Sequence, residues 1–186
     1  MLSTKIKEAT KEAHQQLEKQ VVLKLKAIRS NADYADILKH FYAYFNAVEK
    51  AIEPYVDNVV LPDYAERRNS SYIQADIEEL GANVDDLPQA KAPEITNLQE
   101  ALGALYVMEG SIMGGSIIVQ MLAKHGVEKG VSFFSGYGQK TGEMWAKFVG
   151  ALNENAQNED QEKDATAAAN KTFSNFAEVF ETTEVN

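Results

Sequence analysis

Lys7, Lys11 and His14 stand at positions whose types and spacing could do chemistry. At about 100° per residue, a helix brings these three within an arc of roughly 60°. An imidazole can bind a metal and ammonium groups bind carboxylates. The combination suits a ligand with a metal at one end and acids at the other. Helical lysines are also commonly solvated, and a lone histidine beside an apolar stripe is commonly packed. The ridge by itself leaves both readings open. Histidine is scarce, three in 186 residues, which makes its placement informative.

A second set of residues reads as a possible partner for that ridge. The apolar stretch 101–123 holds Gly103, Gly110, Gly114 and Gly115. An interior glycine costs a helix roughly 0.8–1 kcal/mol relative to alanine, so the four together forgo about 3–4 kcal/mol. Positions 103, 110 and 114 fall within about 40° on the helical wheel and make a smooth groove. Gly114-Gly115 is a natural place for a kink. Close helix packing and close approach of backbone to a flat ligand explain such a groove equally well. A kinked glycine-rich helix facing a histidine-bearing helix would form a slot for a planar metal macrocycle.

The elements that must position these residues are helical. Ile6, Ala9, Ala13, Leu17 and Val21 step by three and four and form a core stripe, with His14 at its border. Ser30 with Asp33 resembles a capping box before a second helix, whose stripe is Ile37, Phe41, Tyr44, Phe45, Val48 and Ile52. Pro54 ends or bends it. A third helix is expected over about 65–80, closed by Gly81. Pro88 and Pro93 mark a loop over 82–95. Thr96 or Asn97 caps the apolar helix, which runs to His125-Gly126. Another helix covers about 140–152, and a last one turns Phe173, Phe176 and Phe180 inward. Residues 181–186 read as a frayed tail. The expectation is one all-α domain over 1–186, with six to eight helices and no strand pattern.

Composition narrows the function. The chain is 45% hydrophobic and 25% charged, as globular domains are. A net charge of −10 argues against a broad phosphate-binding surface and hence against nucleic acid, and against binding an anionic membrane by charge. The absence of cysteine excludes disulfides, thiolate metal sites, iron–sulfur clusters and a cysteine nucleophile, and is compatible with the cytoplasm. No apolar signal segment is visible at residues 1–5. The stretch 101–123 is long enough to span a bilayer, but Glu109 at its centre, with Ser111, Ser116 and Gln120, favours a buried central helix.

Lys7-Glu8-Ala9-Thr10-Lys11-Glu12-Ala13-His14 closely resembles the proximal-helix motif of heme oxygenases, and Gly110-Ser111-Ile112-Met113-Gly114-Gly115 resembles their distal glycine motif. Asp76–Gly81, Leu105–Ser111, Tyr137-Gly138 through Thr141–Trp145, and the helix with Thr172-Phe173 and Phe176 are similar to bacterial, biliverdin-producing members. The resemblance implies a multi-helical heme oxygenase fold with heme between the first helix and a kinked distal helix. It implies that His14 is the axial iron ligand, that Lys7 and Lys11 lie near the heme propionates, and that Gly110, Gly114 and Gly115 form the wall over the heme face. Gly110, Ser111 and Gly114 are the implied catalytic positions. The implied activity is an oxidoreductase that opens heme, both cofactor and substrate, to biliverdin, carbon monoxide and ferrous iron. It would use O2 and electrons from an external reductase or ferredoxin-type donor. Many members carry an aspartate where this chain has Ser111, whereas some bacterial members have serine; animal members carry arginine at the position of Val107. Lys140 and Lys147 are candidates for further propionate contacts. The alternative is a non-catalytic heme-binding protein for storage or sensing, motivated by Ser111.

The remaining polar residues read mostly as structure. His40 is expected to be packed, and His125 to complement a helix end. Glu109 either pairs with another helix or shapes the distal site. Tyr106 and Tyr137 are core or hydrogen-bond near the pocket. A di-iron carboxylate bundle would need Glu-x-x-His motifs. The residues three before His14, His40 and His125 are Lys11, Ile37 and Leu122, so that motif is absent. A thiaminase-like protein is disfavoured by the lack of cysteine, and a purely structural helical module remains an option if no heme binds.

Overall fold

Thr10 interrupts the first helical segment, and the interruption changes which residues face inward. In the computed structural model, which describes residues 1–181, helix α1 spans Leu2–Ala9 and α2 spans Lys11–Lys26. Thr10 between them has φ −101° and ψ 1°. Backbone bonds from Thr10 to Ile6 (3.0 Å) and from His14 to Thr10 (2.9 Å) bridge the joint, so the two helices stay coupled. Leu2, Ile6, Leu17, Val21 and Leu25 are buried, as is Thr10, whereas Ala9 is exposed and Ala13 only half-buried. The expected stripe thus holds except at Ala9. The joint turns Thr10 inward in its place, where its hydroxyl donates to the Ile6 carbonyl at 2.6 Å.

Helix α3 (Asn31–Ile52) begins as expected. Ser30 Oγ accepts from Asp33 N at 3.2 Å, and the Asp33 carboxylate accepts from Arg29 N at 2.9 Å. Such a cap contributes about 1 kcal/mol. The third helix is shorter than its pattern predicts. A 3₁₀ turn occupies Tyr64–Glu66, and α4 starts only at Ser70, capped by Asn69, and runs to Glu79. Gly81 closes it at φ 84°, a left-handed value that favours glycine.

The apolar stretch becomes two helices, α5 (Leu98–Met113) and α6 (Gly115–Lys124), bent by 40° at Gly114. Asn97 accepts from Glu100 N, and Glu100 reaches back to Thr96 N, completing a reciprocal cap. No single helix among the described residues is long and apolar enough to cross a membrane. Helix α7 (Thr141–Glu154) follows a 3₁₀ turn at Gly138–Lys140, and α8 runs over Glu159–Glu181. Glu181 belongs to α8 and accepts from Gln20 Nε2 at 3.0 Å, so it is not part of a frayed tail. The rest of the expected tail lies outside the described residues.

The architecture is all-helical, with eight α-helices and no strand among the described residues. Helix α5 lies along α8, and α1 and α2 also pack on α8. Gly103 explains how close α5 and α8 run, since a Cβ there would collide with the carbonyl of Ala165. An aromatic cluster closes the far end. Phe41, Phe45, Phe133, Phe134, Phe176 and Phe180 meet edge-to-face and stacked, with centroids 5.0–6.0 Å apart. The buried Asp76 carboxylate holds the 127–137 segment to α4 by accepting from Ser132 N (3.1 Å) and Phe133 N (2.9 Å).

Candidate functional site

The joint at Thr10 and the turn of α5 before Gly110 are neighbours. The Thr10 hydroxyl lies close enough to the Tyr106 phenol to oppose the rise that burial imposes on it. One helical turn beyond Thr10 stands His14; one turn beyond Tyr106 stands Gly110. The Tyr106 ring also tilts against Trp145 of α7 at 5.6 Å, and the Trp145 edge lies 4.0 Å from where a Gly110 Cβ would be. Helices α2 and α6 also approach each other. The structure therefore relates the histidine segment and the glycine segment through named contacts.

His14 is accessible, with a side chain 60% exposed. Its ring stacks on Phe173 of α8, with centroids 5.3 Å apart and planes 25° off parallel. Nε2 stands 3.9 Å from the Glu18 carboxylate, one turn on and beyond hydrogen-bond length. The imidazole is thus oriented by an aromatic face while remaining open to a ligand. Lys7 and Lys11 are exposed and make no ion pair among the described residues. Because of the joint, Lys7 belongs to α1 and Lys11 to α2, so the ridge spans two helices.

The four glycines divide by role. Gly110 and Gly114 leave space: the nearest foreign atoms to their Cβ positions are Trp145 Cη2 at 4.0 Å and the Gly110 carbonyl at 3.6 Å. Gly115 does not. A Cβ there would strike the Phe134 carbonyl, and the residue is buried, so its missing side chain is explained by packing, as at Gly103. Met113 and Ile117 flank the bend as exposed large apolar groups, 43% and 64% accessible. Ser111 is half-buried, and its hydroxyl donates to the Val107 carbonyl at 3.0 Å, one turn back along its own helix.

Glu109 resolves into an ion pair. Its carboxylate accepts from Arg67 Nη1 at 2.9 Å, with both side chains almost fully buried. Burial pushes Glu109 up to about 7, against the pull of Arg67. Arg67 was not legible as a site residue in the sequence; the i,i+4 pair Asp63/Arg67 was the available signal. Tyr137 accepts from Arg68 N at 2.9 Å. His40 is buried, with Nδ1 donating to the Asp36 carbonyl (2.7 Å) and its ring on Phe180 (5.1 Å). His125 is exposed at the end of α6. Lys140 and Lys147 are exposed, the latter 3.6 Å from Glu143. A cavity of about 340 Å³ lies on another side of α5, between Phe45, Glu49, Arg67, Met108, Glu109 and Ile112. Neither His14 nor Gly110 lines it.

The donor set suits a metal that brings most of its own ligands. No group of three or more His, Asp or Glu able to hold a free ion occurs among the described residues. One accessible imidazole, two ammonium groups without an ion pair among the described residues and two glycines whose Cβ positions meet no close contact fit a planar macrocycle with acidic side arms.

The family model described as heme oxygenase matches residues 1–182. The chain is 28% identical to heme oxygenase PigA of Pseudomonas aeruginosa over 180 residues, covering 94% of this chain and 88% of that protein. It is 27% identical over 145 residues to a heme oxygenase of Xanthomonas campestris pv. campestris, covering 77% and 86%. The fold is similar to the NO- and CO-bound heme oxygenase from Neisseria meningitidis, with a TM-score of 0.85 at 21% identity, covering 98% of this chain and 92% of that one.

Proposed function

Because the chain belongs to the heme oxygenase family, we propose that it opens heme oxidatively to biliverdin, carbon monoxide and ferrous iron. Heme would lie between α2 and the bent α5–α6 pair. The observation that carries this reading is the accessible His14 imidazole on Phe173, on the helix that approaches α6 next to the Gly114 bend. The named relatives are heme oxygenases and support the same reading.

Heme supplies the iron that activates dioxygen and the ring that is opened. The chain supplies position. His14 would hold the iron from the α2 side, kept in orientation by Phe173. Neutral imidazole is a standard axial ligand, and Glu18, one turn away, could fix its second nitrogen. Lys7 and Lys11 would meet the propionates with charge-assisted contacts. Gly110 and Gly114 would admit the heme face close to the α5 backbone, where a Cβ would intrude. Met113 and Ile117 would cover apolar ring edge. Ser111 holds its proton against the Val107 carbonyl, so any proton it gives must follow a rotation off that bond.

The electrons must come from outside the chain. The proposed partner is a reductase or ferredoxin-type donor, and the proposed setting is the cytoplasm, with which the cysteine-free composition is compatible. The bond from Ser111 to Val107 favours one second reading, a heme-binding protein that stores or senses heme without opening it.

Anaerobic heme addition followed by oxygen and a reductant separates the two. Loss of the heme band with growth of a bilin band supports the oxygenase. A heme band that persists with every donor tried supports storage or sensing.

A further inference from the structure

Arg67 is the largest fully buried side chain in the core. Its guanidinium reaches three separate pieces of the protein. Nε and Nη2 donate to the two oxygens of Asp63 at 2.8 and 3.3 Å. Nη1 donates to Glu109 on α5 at 2.9 Å. Nη2 also donates to the Met144 carbonyl on α7 at 2.9 Å. Glu109 immediately precedes Gly110, and Met144 immediately precedes Trp145. Those two successors face each other at the 4.0 Å approach that bounds the open space beside Gly110.

The same segment is anchored a second time. Arg68 donates from its backbone to the Tyr137 hydroxyl and from Nε to the Gly136 carbonyl, at 2.9 and 3.0 Å. The Gly136 Cβ position is 3.2 Å from Ile112 Cγ2, on the next turn of α5. Arg67 and Arg68 therefore bracket residues 109–112 from behind.

We propose that Arg67 is the positioning residue of the distal wall: by holding Glu109 and the Met144 carbonyl together, it sets the offset between Gly110 and Trp145. This rests on the reading that Gly110 faces heme, and it adds a residue that touches neither heme nor oxygen. Only a planar fork with several donors can serve all three partners at once; an ammonium group cannot reproduce that geometry. Losing the fork also leaves the Glu109 carboxylate buried without its cation.

The test uses the single tryptophan, Trp145, as a reporter in the heme-free full chain. Arg67→Met and Arg67→Lys are compared with Tyr44→Phe, which removes a buried hydrogen bond from α3 to the Thr172 carbonyl on α8. The expected result is a shifted Trp145 emission maximum in both Arg67 variants and none in Tyr44→Phe, at temperatures where all remain folded. In the heme-loaded ferrous CO adduct, the C–O stretching frequency should change, with the ferric His14-dependent spectrum retained. Unchanged emission in a folded Arg67→Met overturns the proposal, as does an equal shift in Tyr44→Phe. Should both Arg67 variants fail to fold, Glu109→Gln carries the same comparison, with the same two results deciding. A wild-type chain that takes up no heme defeats the functional reading alone, because the emission measurement still decides the role of Arg67.

Discussion

The imidazole of His14 rests on the phenyl ring of Phe173 with centroids 5.3 Å apart, so the exposed ligand candidate on α2 is oriented by the buried helix α8. The first prediction is a contrast between these two residues. His14→Ala should leave stability within about 0.5 kcal/mol, since the side chain is mostly exposed. It should abolish the spectrum of an imidazole-ligated ferric heme. Phe173→Ala should destabilise by about 3–5 kcal/mol, as large-to-small core changes do. Absorption spectra of the heme complexes and thermal melts check both; an unchanged His14→Ala spectrum would mean the ligand is another residue.

The glycines should separate by role. Gly103→Ala drives a methyl into the Ala165 carbonyl and should cost about 1–3 kcal/mol of stability, as overpacking does. Gly110→Ala meets only an ordinary van der Waals contact with Trp145 and should leave the melt unchanged or raise it by about 1 kcal/mol through helix propensity. Its effect should fall on bilin formation instead. If Gly103→Ala impairs turnover in a fully stable protein while Gly110→Ala does not, the assignment of the wall is wrong.

Ser111→Ala should retain bilin formation. The hydroxyl already donates to the Val107 carbonyl, and removing such a bond within a helix changes stability little. Single-turnover bilin yield measures this, and loss of the yield with an intact heme spectrum would give the hydroxyl a direct role in proton delivery.

Lys7 and Lys11 act in this reading through charge at an exposed surface. The double variant Lys7→Ala/Lys11→Ala should weaken heme binding, and the difference from wild type should shrink as salt rises, because exposed charges are screened over about 10 Å at 0.1 M. Heme titrations at two ionic strengths test it. A difference that is independent of salt would point to packing by the lysine stems.

Glu109 makes stability depend on pH in a defined direction. Its folded value is raised to about 7 from 4.5, chiefly by burial. Between these values the folded chain holds a proton that the unfolded chain has released, so this group's contribution falls as pH rises through the window. Relative to Glu109→Gln, wild type should therefore lose stability from pH 4.5 to 7. Melting curves of both proteins across that range check the sign. The opposite slope would show that the Arg67 charge outweighs burial.

Much of the helical framework could be read from local pattern. The Ser30/Asp33 cap, the Asn97/Glu100 cap and the glycine at 81 are signals carried within a few residues, and each does its expected work. The inward faces of Phe173, Phe176 and Phe180 follow from helical spacing. Local pattern misled at Thr10 and at 65–69. At Thr10 the joint exchanges Ala9 for Thr10 in the interior, and the Tyr106 contact that engages it comes from nearly a hundred residues away. At 65–69 a helical stripe gives way to a 3₁₀ turn, where Arg67 joins α5 and α7.

The amino-acid sequence by itself determined most of the helices, their caps, the histidine beside two lysines and the glycines that let α5 and α6 bend. These depend on residue type and short spacing. Only the tertiary structure decided which glycines leave space and which admit a neighbouring carbonyl, because the helical wheel cannot say what lies opposite a missing Cβ. Only it paired Glu109 with Arg67 and laid His14 on Phe173. Those contacts join residues 42 and 159 positions apart, and long-range partners are chosen by how whole helices pack.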